Sequence, residues 1–213
     1  MKRRFLAVAT VLLVCVAAVV LWWLSHSKER QLRFSNTSVE ISDSDYDISY
    51  GSDTAHLTIY MFVSYTCRHC RGFLNIDLPQ IGSRYIDSGL VRLVLKPIDL
   101  AENPDMMSAL QLAACMSQNG DADDLIELLL SDPFAVYSDD FRQLIDDIIN
   151  NNSMMAECLL SDDYSYIKKN NLLFNATSSK GTPIFVTNGH LYAGRRNVDQ
   201  FCKIIDYELK RAN

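Results

Sequence analysis

Positive charge is scarce in this chain. It has 20 Lys and Arg against 26 Asp and Glu, a formal net charge of −6, and no long basic run. That excludes the broad cationic surface that nucleic-acid binding requires, and no nucleic-acid partner is expected. Metal-ligand pairs are scarce too. There is one Cys-x-x-Cys, no second such pair, and the four histidines, His26, His56, His69 and His190, form no His-x-x-x-His set. A structural zinc site usually draws four ligands from two such pairs, so neither metal nor cofactor is expected. Internal repeats and low-complexity tracts are absent. With 213 residues, 48% of them hydrophobic, the chain has enough for one ordinary domain and an additional segment.

That segment is the N-terminus. MKRR supplies three cations, and residues 5–24 (FLAVATVLLVCVAAVVLWWL) carry no charge. Twenty residues at about 1.5 Å each span about 30 Å, the thickness of a hydrocarbon core. A secretory apolar region is shorter, about 7–15 residues. The favoured reading is an uncleaved signal anchor, with Lys2, Arg3 and Arg4 cytoplasmic and Trp22 and Trp23 at the outer interface. A signal peptide cleaved near residues 25–27 and a lipoprotein modified at Cys15 are the alternatives. All three export the rest of the chain, so the expected location is the inner membrane, single-pass, with the domain facing the periplasm or cell exterior. Cysteine pairs can stay oxidised there. Outside the apolar segment are Cys67, Cys70, Cys115, Cys158 and Cys202, an odd number that leaves one thiol without an intramolecular partner.

Residues 25–50 are polar and rich in Ser and Asp, as expected of a linker leading into a first strand or loop. Residues 56–63 (HLTIYMFV) form a short, nearly continuous apolar run, as in a buried central strand. The Cys-x-x-Cys follows at once. A helical pattern then runs from Phe73 to Ile86, and Pro79 inside it predicts a kink or break. Residues 90–98 (LVRLVLKPI) read as a second buried strand, giving a β, Cys-x-x-Cys, α, β order consistent with a parallel unit. The next seventy or so residues lack a convincing strand and read as an all-helical insertion. Asn103-Pro104 opens its first helix, which stops at Gly120. Residues 121–130 form the second, Ser138 caps a third, Ser153 caps a fourth, and residues 164–173 form a fifth. Strands return at residues 183–187 (PIFVT), Asn188-Gly189 is a hairpin turn, and a last helix runs over residues 197–211.

Cys67 and Cys70 admit an inert staple or a redox dithiol. A loop this small removes little chain entropy, so it makes a poor staple. At a strand-to-helix junction, free backbone N–H groups and the helix dipole favour a thiolate on the first sulfur. Cys67 is then the exposed nucleophile and Cys70 the buried resolving thiol, with Arg68 and His69 adding positive charge or donors beside them.

SYTCRHC followed by a helix, the Pro79 kink, the helical insertion and SSKGTPIFVTNGHLYAG at residues 178–194 together resemble the DsbA-type branch of the thioredoxin superfamily. The resemblance covers roughly residues 50–213. It implies an α/β thioredoxin-like fold with an all-helical insertion, preceded here by the transmembrane anchor. The expected organisation is an anchor over 1–24, linker and first strand over 25–50, first half with the dithiol over 51–100, helical insertion over 101–174, and second half over 175–213. The resemblance implies a cis peptide at Thr182-Pro183, packed against the dithiol and holding substrate backbone. It also implies a second disulfide between Cys115 and Cys158, in AAC…ECL settings. Cys202 reads as a buried, inert thiol.

The implied activity is disulfide donation by a monomer to reduced exported proteins, with reoxidation by a membrane partner of the DsbB or VKOR kind. An isomerase or reductase using the same pair, and an anchored chaperone or adaptor with an incidental dithiol, are the alternatives. Two positions depart from the family's oxidase. Arg68 stands where it has proline, and Met61 where it has a buried acid associated with proton transfer to the buried thiol. Thr182 before the proline is shared with relatives that isomerise or reduce.

Overall fold

The computed structural model describes residues 13–22, 32, 34–118, 122–161 and 164–212. It divides into two compact units, residues 1–35 and 36–213. In the first unit, residues 13–22 are helical and exposed. The anchor expected over residues 5–24 lies partly outside the described residues, as do Lys2, Arg3, Arg4 and Trp23. Among the described residues, no helix is long and apolar enough to cross a membrane. The expected Gly120 stop also lies outside them.

The second unit is built on a mixed sheet. The short strand β1 (Phe34–Asn36) straddles the boundary between the units, and just after it the Thr37 amide donates to the Gly189 carbonyl at 2.9 Å. The other strands are β2 (Ile48–Tyr50), β3 (Leu57–Val63), β4 (Val91–Pro97), β5 (Ile184–Thr187) and β6 (His190–Ala193), in the spatial order β6-β5-β3-β4-β2. The two longest strands, β3 and β4, pair in parallel at the centre, with Met61 opposite Leu95. β5 runs antiparallel to β3, and β6 and β2 antiparallel to their neighbours. Asn188 and Gly189, at φ 47° and 76°, make the tight turn between β5 and β6 with the twist a hairpin favours.

The run after β3 forms one composite helix, α1. It is α-helical over Arg68–Gly72 and Leu78–Ile81, and π-wound over Phe73–Asp77 and Gly82–Ile86. Pro79 therefore does not break the helix. It has no N–H for the carbonyl of Asn75, and the wider turn before it spaces the backbone so that the helix continues. Phe73 holds α1 down, packed 4.8 Å from the Phe185 ring of β5 and 5.0 Å from Phe201. Phe201 belongs to the last helix, which follows α2–α6 of the insertion and is labelled α7 (Val198–Ala212).

The insertion comprises α2 (Pro104–Ser117), α3 (Asp123–Ser131), a 3-10 turn (Ala135–Tyr137), α4 (Asp139–Asn151), α5 (Ser153–Ser161) and α6 (Ser165–Ala176). Asn103 caps α2, its side chain accepting from the amides of Asp105 and Met106, and Ser138 caps α4. The cap of α5 is Asn152, not Ser153: its Oδ1 accepts from the Met155 amide at 3.0 Å. Ser153 is already the first helical residue. A disulfide joins Cys115 of α2 to Cys158 of α5. The insertion is tied to the sheet through α6, where Asn170 donates to the Pro97 carbonyl (3.1 Å) and Asn171 to that of Asp99 (2.9 Å).

Candidate active site

Cys67 sits at the N-cap of α1 with extended backbone (φ −78°, ψ 116°), and the chain turns helical at Arg68. This geometry follows from the sequence order: a buried strand ends, two residues turn, and a helix begins. Its Sγ is partly exposed and donates to the Thr182 carbonyl at 3.3 Å, across 115 residues of chain. The Thr182–Pro183 peptide bond is cis, and Pro183 is buried. Cys70, one turn into α1, is fully buried. Both are free thiols in this structure.

The two thiols ionise very differently. Burial opposes charge on Cys67, but hydrogen bonds from the Thr182 side chain and from the Cys70 and His69 backbone amides outweigh it, and its pKa is lowered. Burial pushes the Cys70 thiol up to about 12. Near neutral pH, Cys67 is the better nucleophile and the better leaving group, while Cys70 keeps its proton. The side chains of Arg68 and His69, expected to act beside the thiolate, are both exposed. What His69 contributes to Cys67 is its main-chain N–H.

At the position of the missing acid, Met61 is fully buried between Leu95 and Phe185 in register. A buried ion pair lies one register position away but points to the other face of the sheet. Lys96, 2% exposed, donates to Asp47 Oδ2 (2.6 Å), Asp47 Oδ1 (2.8 Å) and the Ser42 carbonyl (2.8 Å). Its neighbour in β3 is Phe62, one residue from Met61, so pleating sends the two side chains to opposite faces. Lysine inside an apolar strand was a readable signal for a buried partner. Asp47, 49 residues away, was not readable as that partner.

Sequence reading also missed a clamp on α1. Arg195 reaches back from the loop after β6 and binds Asp77 through Nε (2.6 Å) and Nη2 (3.0 Å). Gly72 makes room for it: a Cβ there would lie 2.2 Å from Arg195 Nη1. The clamp therefore fixes the helix about two turns past Cys70 to the loop after β6.

The thioredoxin family model matches residues 43–207, most of the chain and all of this site. The chain belongs to the thioredoxin family. A Rickettsia prowazekii protein named as a candidate protein-disulfide oxidoreductase is 28% identical over 193 residues, covering 85% of this chain and 68% of that protein. Two solved structures share the fold. Wolbachia pipientis alpha-DsbA1 superposes with a TM-score of 0.63 at 18% identity, over 82% of this chain and 95% of its own. The catalytic domain of Proteus mirabilis ScsC gives 0.58 at 20% identity, over 87% and 96%. A dithiol–disulfide oxidoreductase of DsbA-like fold accounts for the family match and for the unequal thiols together.

Proposed function

We propose that the protein is an oxidase that donates its Cys67–Cys70 disulfide to exported proteins. The observation that carries this reading is the split between the lowered Cys67 thiol and the raised Cys70 thiol at one helix N-terminus. A low thiol pKa at the outer sulfur stabilises the reduced enzyme and so makes the disulfide a stronger oxidant.

The reaction runs in two exchanges. A substrate thiolate attacks Cys67 Sγ, the Cys67–Cys70 bond breaks, and Cys70 leaves with the electron pair and takes up a proton. A second substrate thiolate attacks the substrate sulfur of the mixed disulfide, and Cys67 leaves as a thiolate. The substrate loses two electrons and the enzyme gains them. An extended substrate backbone would pair with the main chain at Thr182, whose carbonyl lies 3.3 Å from Cys67 Sγ. The basic start and the uncharged run at residues 5–24 support an anchor in the inner membrane with the domain outside the cytoplasm. A membrane reoxidant of the DsbB or VKOR type would return the dithiol to the disulfide. The name carried by the Rickettsia prowazekii relative agrees with the reaction class.

The test is the potential of the pair, read by thiol trapping of the full chain equilibrated in glutathione buffers in detergent. A value near that of DsbA, roughly −120 mV, is expected. A value near that of thioredoxin, roughly −270 mV, overturns the oxidase reading in favour of a reductase.

A further inference from the structure

The charge of this protein is unevenly distributed. Three short stretches border the dithiol. One is the head of α1, the second is the loop whose Thr182 touches Cys67, and the third is the loop after β6 whose Arg195 packs on Gly72. They fall within residues 64–76 and 177–197. Those two segments hold Arg68, Arg71, Lys180, Arg195 and Arg196, five of the chain's 20 Lys and Arg, and none of its 26 Asp and Glu. The rest of the molecule carries all the acid. A cavity of about 570 Å³ is lined by His69, which lies between the two cysteines in sequence, and by Gln80, Arg195, Arg196 and Asn197 among others; neither Cys67 nor Cys70 lines it. Two carboxylates border it. Asp77 is bound on both oxygens by Arg195, and Asp199 is exposed on the first turn of α7. Arg68, His69 and Lys180 are exposed.

We propose that this cationic face selects thiol substrates whose reactive cysteine is flanked by acidic residues. The proposal rests on the disulfide-exchange reading above and adds the class of polypeptide it acts on. The physical reason is local. A surface patch within a Debye length of the reacting sulfur governs encounter and orientation, whereas the distant acidic surface is screened. An acidic segment laid along Thr182 would pass Arg68 and His69, which follow Cys67, and Lys180, two residues before Thr182. A basic segment would meet like charge, which suppresses wrong partners as effectively as attraction favours right ones.

The test uses the full-length oxidised protein and three dithiol peptides identical except for the residues beside the cysteines, which are Glu, Gln or Lys. Each oxidation rate is divided by the same peptide's rate with a small neutral disulfide, which removes differences in intrinsic thiol reactivity. At about 0.1 M salt, where the screening length is about 10 Å and the distant acidic surface is damped, the normalised Glu peptide is expected to react several-fold faster than the Lys peptide, and at about 1 M salt the two should converge. In the Lys180→Glu/Arg196→Glu variant the Glu-to-Lys ratio should fall to one or below. Because the ratio is taken on one preparation, loss of folded protein does not imitate this result. Equal normalised rates at the lower salt, or a preference that salt leaves untouched, overturn the substrate assignment alone. No exchange with any peptide overturns the disulfide-donor reading, and this proposal with it.

Discussion

Cys67 and Cys70 differ in ionisation because three positions on a helix separate a capping site from a buried one. The cap offers free amides and the Thr182 hydroxyl to a thiolate; the interior offers Cys70 chiefly desolvation. In the reduced protein, iodoacetamide should label Cys67 and leave Cys70 unlabelled near neutral pH. The Cys67 rate should rise with pH through an inflection below the ordinary thiol value of 9.0. Peptide mass spectrometry of the labelled sites checks this, and equal labelling of both thiols would contradict it. The linkage follows in sign. The lowered Cys67 stabilises the reduced fold above the unfolded thiol value, and this is lost as pH falls through its folded value. The raised Cys70 contributes below the unfolded value, and its share is lost as pH climbs from there toward about 12. At this scale, Cys-x-x-Cys between an apolar run and a helical pattern was enough to assign both thiols. The polar groups that matter around them were less legible. Thr182 entered through family resemblance, and nothing local distinguishes Asp47 or Asp77 from the many acids on helix surfaces. Only the fold shows that these two are buried and paired.

Among the elements, α1 shows where a sequence rule holds and where it stops. Proline inside a helix removes a hydrogen bond, and Pro79 marked the place correctly. The response depends on tertiary packing. Phe73 packs against both Phe185 and Phe201, and the helix widens into π turns instead of breaking. The cap of α5 shifted by one residue for a similar reason. Asn and Ser both cap well, and local pattern alone does not choose between Asn152 and Ser153. The Asp77–Arg195 clamp gives this element a specific weakness. Gly72→Ala would push the end of the Arg195 side chain off Asp77 and should cost about 1 kcal/mol beyond the roughly 0.5–1 kcal/mol that alanine gains in a helix. Urea unfolding measures it. In an Arg195→Ala background the penalty of the same alanine should largely vanish, since the clashing atom is gone. An unchanged penalty would place its origin elsewhere in α1.

For the molecule as a whole, the element order was legible because apolar runs of strand length bracket a long stretch without any. The β-α-β order and the Asn188-Gly189 turn made the β3–β4 and β5–β6 pairings legible, whereas the pairing of β5 with β3 joins strands far apart in the chain and left no local signal. The helical insertion is pinned by one covalent bond, Cys115–Cys158, which closes a loop of 43 residues. Replacing both with serine should lower the unfolding free energy by about 4 kcal/mol in the chain-entropy account, measured by denaturant titration. A loss below about 1 kcal/mol would mean that packing among α2, α5 and α6 already holds the insertion closed.

The contact between Cys67 and Thr182 also has a consequence in time. The nucleophile and the carbonyl it meets lie 115 residues apart, with the whole insertion between them. At a synthesis rate of about 5–20 residues per second, the second half trails the first by roughly 6–23 s. During that interval the emerging Cys67 lacks its later partner and behaves more like an ordinary thiol. The protein acquires its full reactivity only when its own chain is nearly complete, which separates making this catalyst from using it.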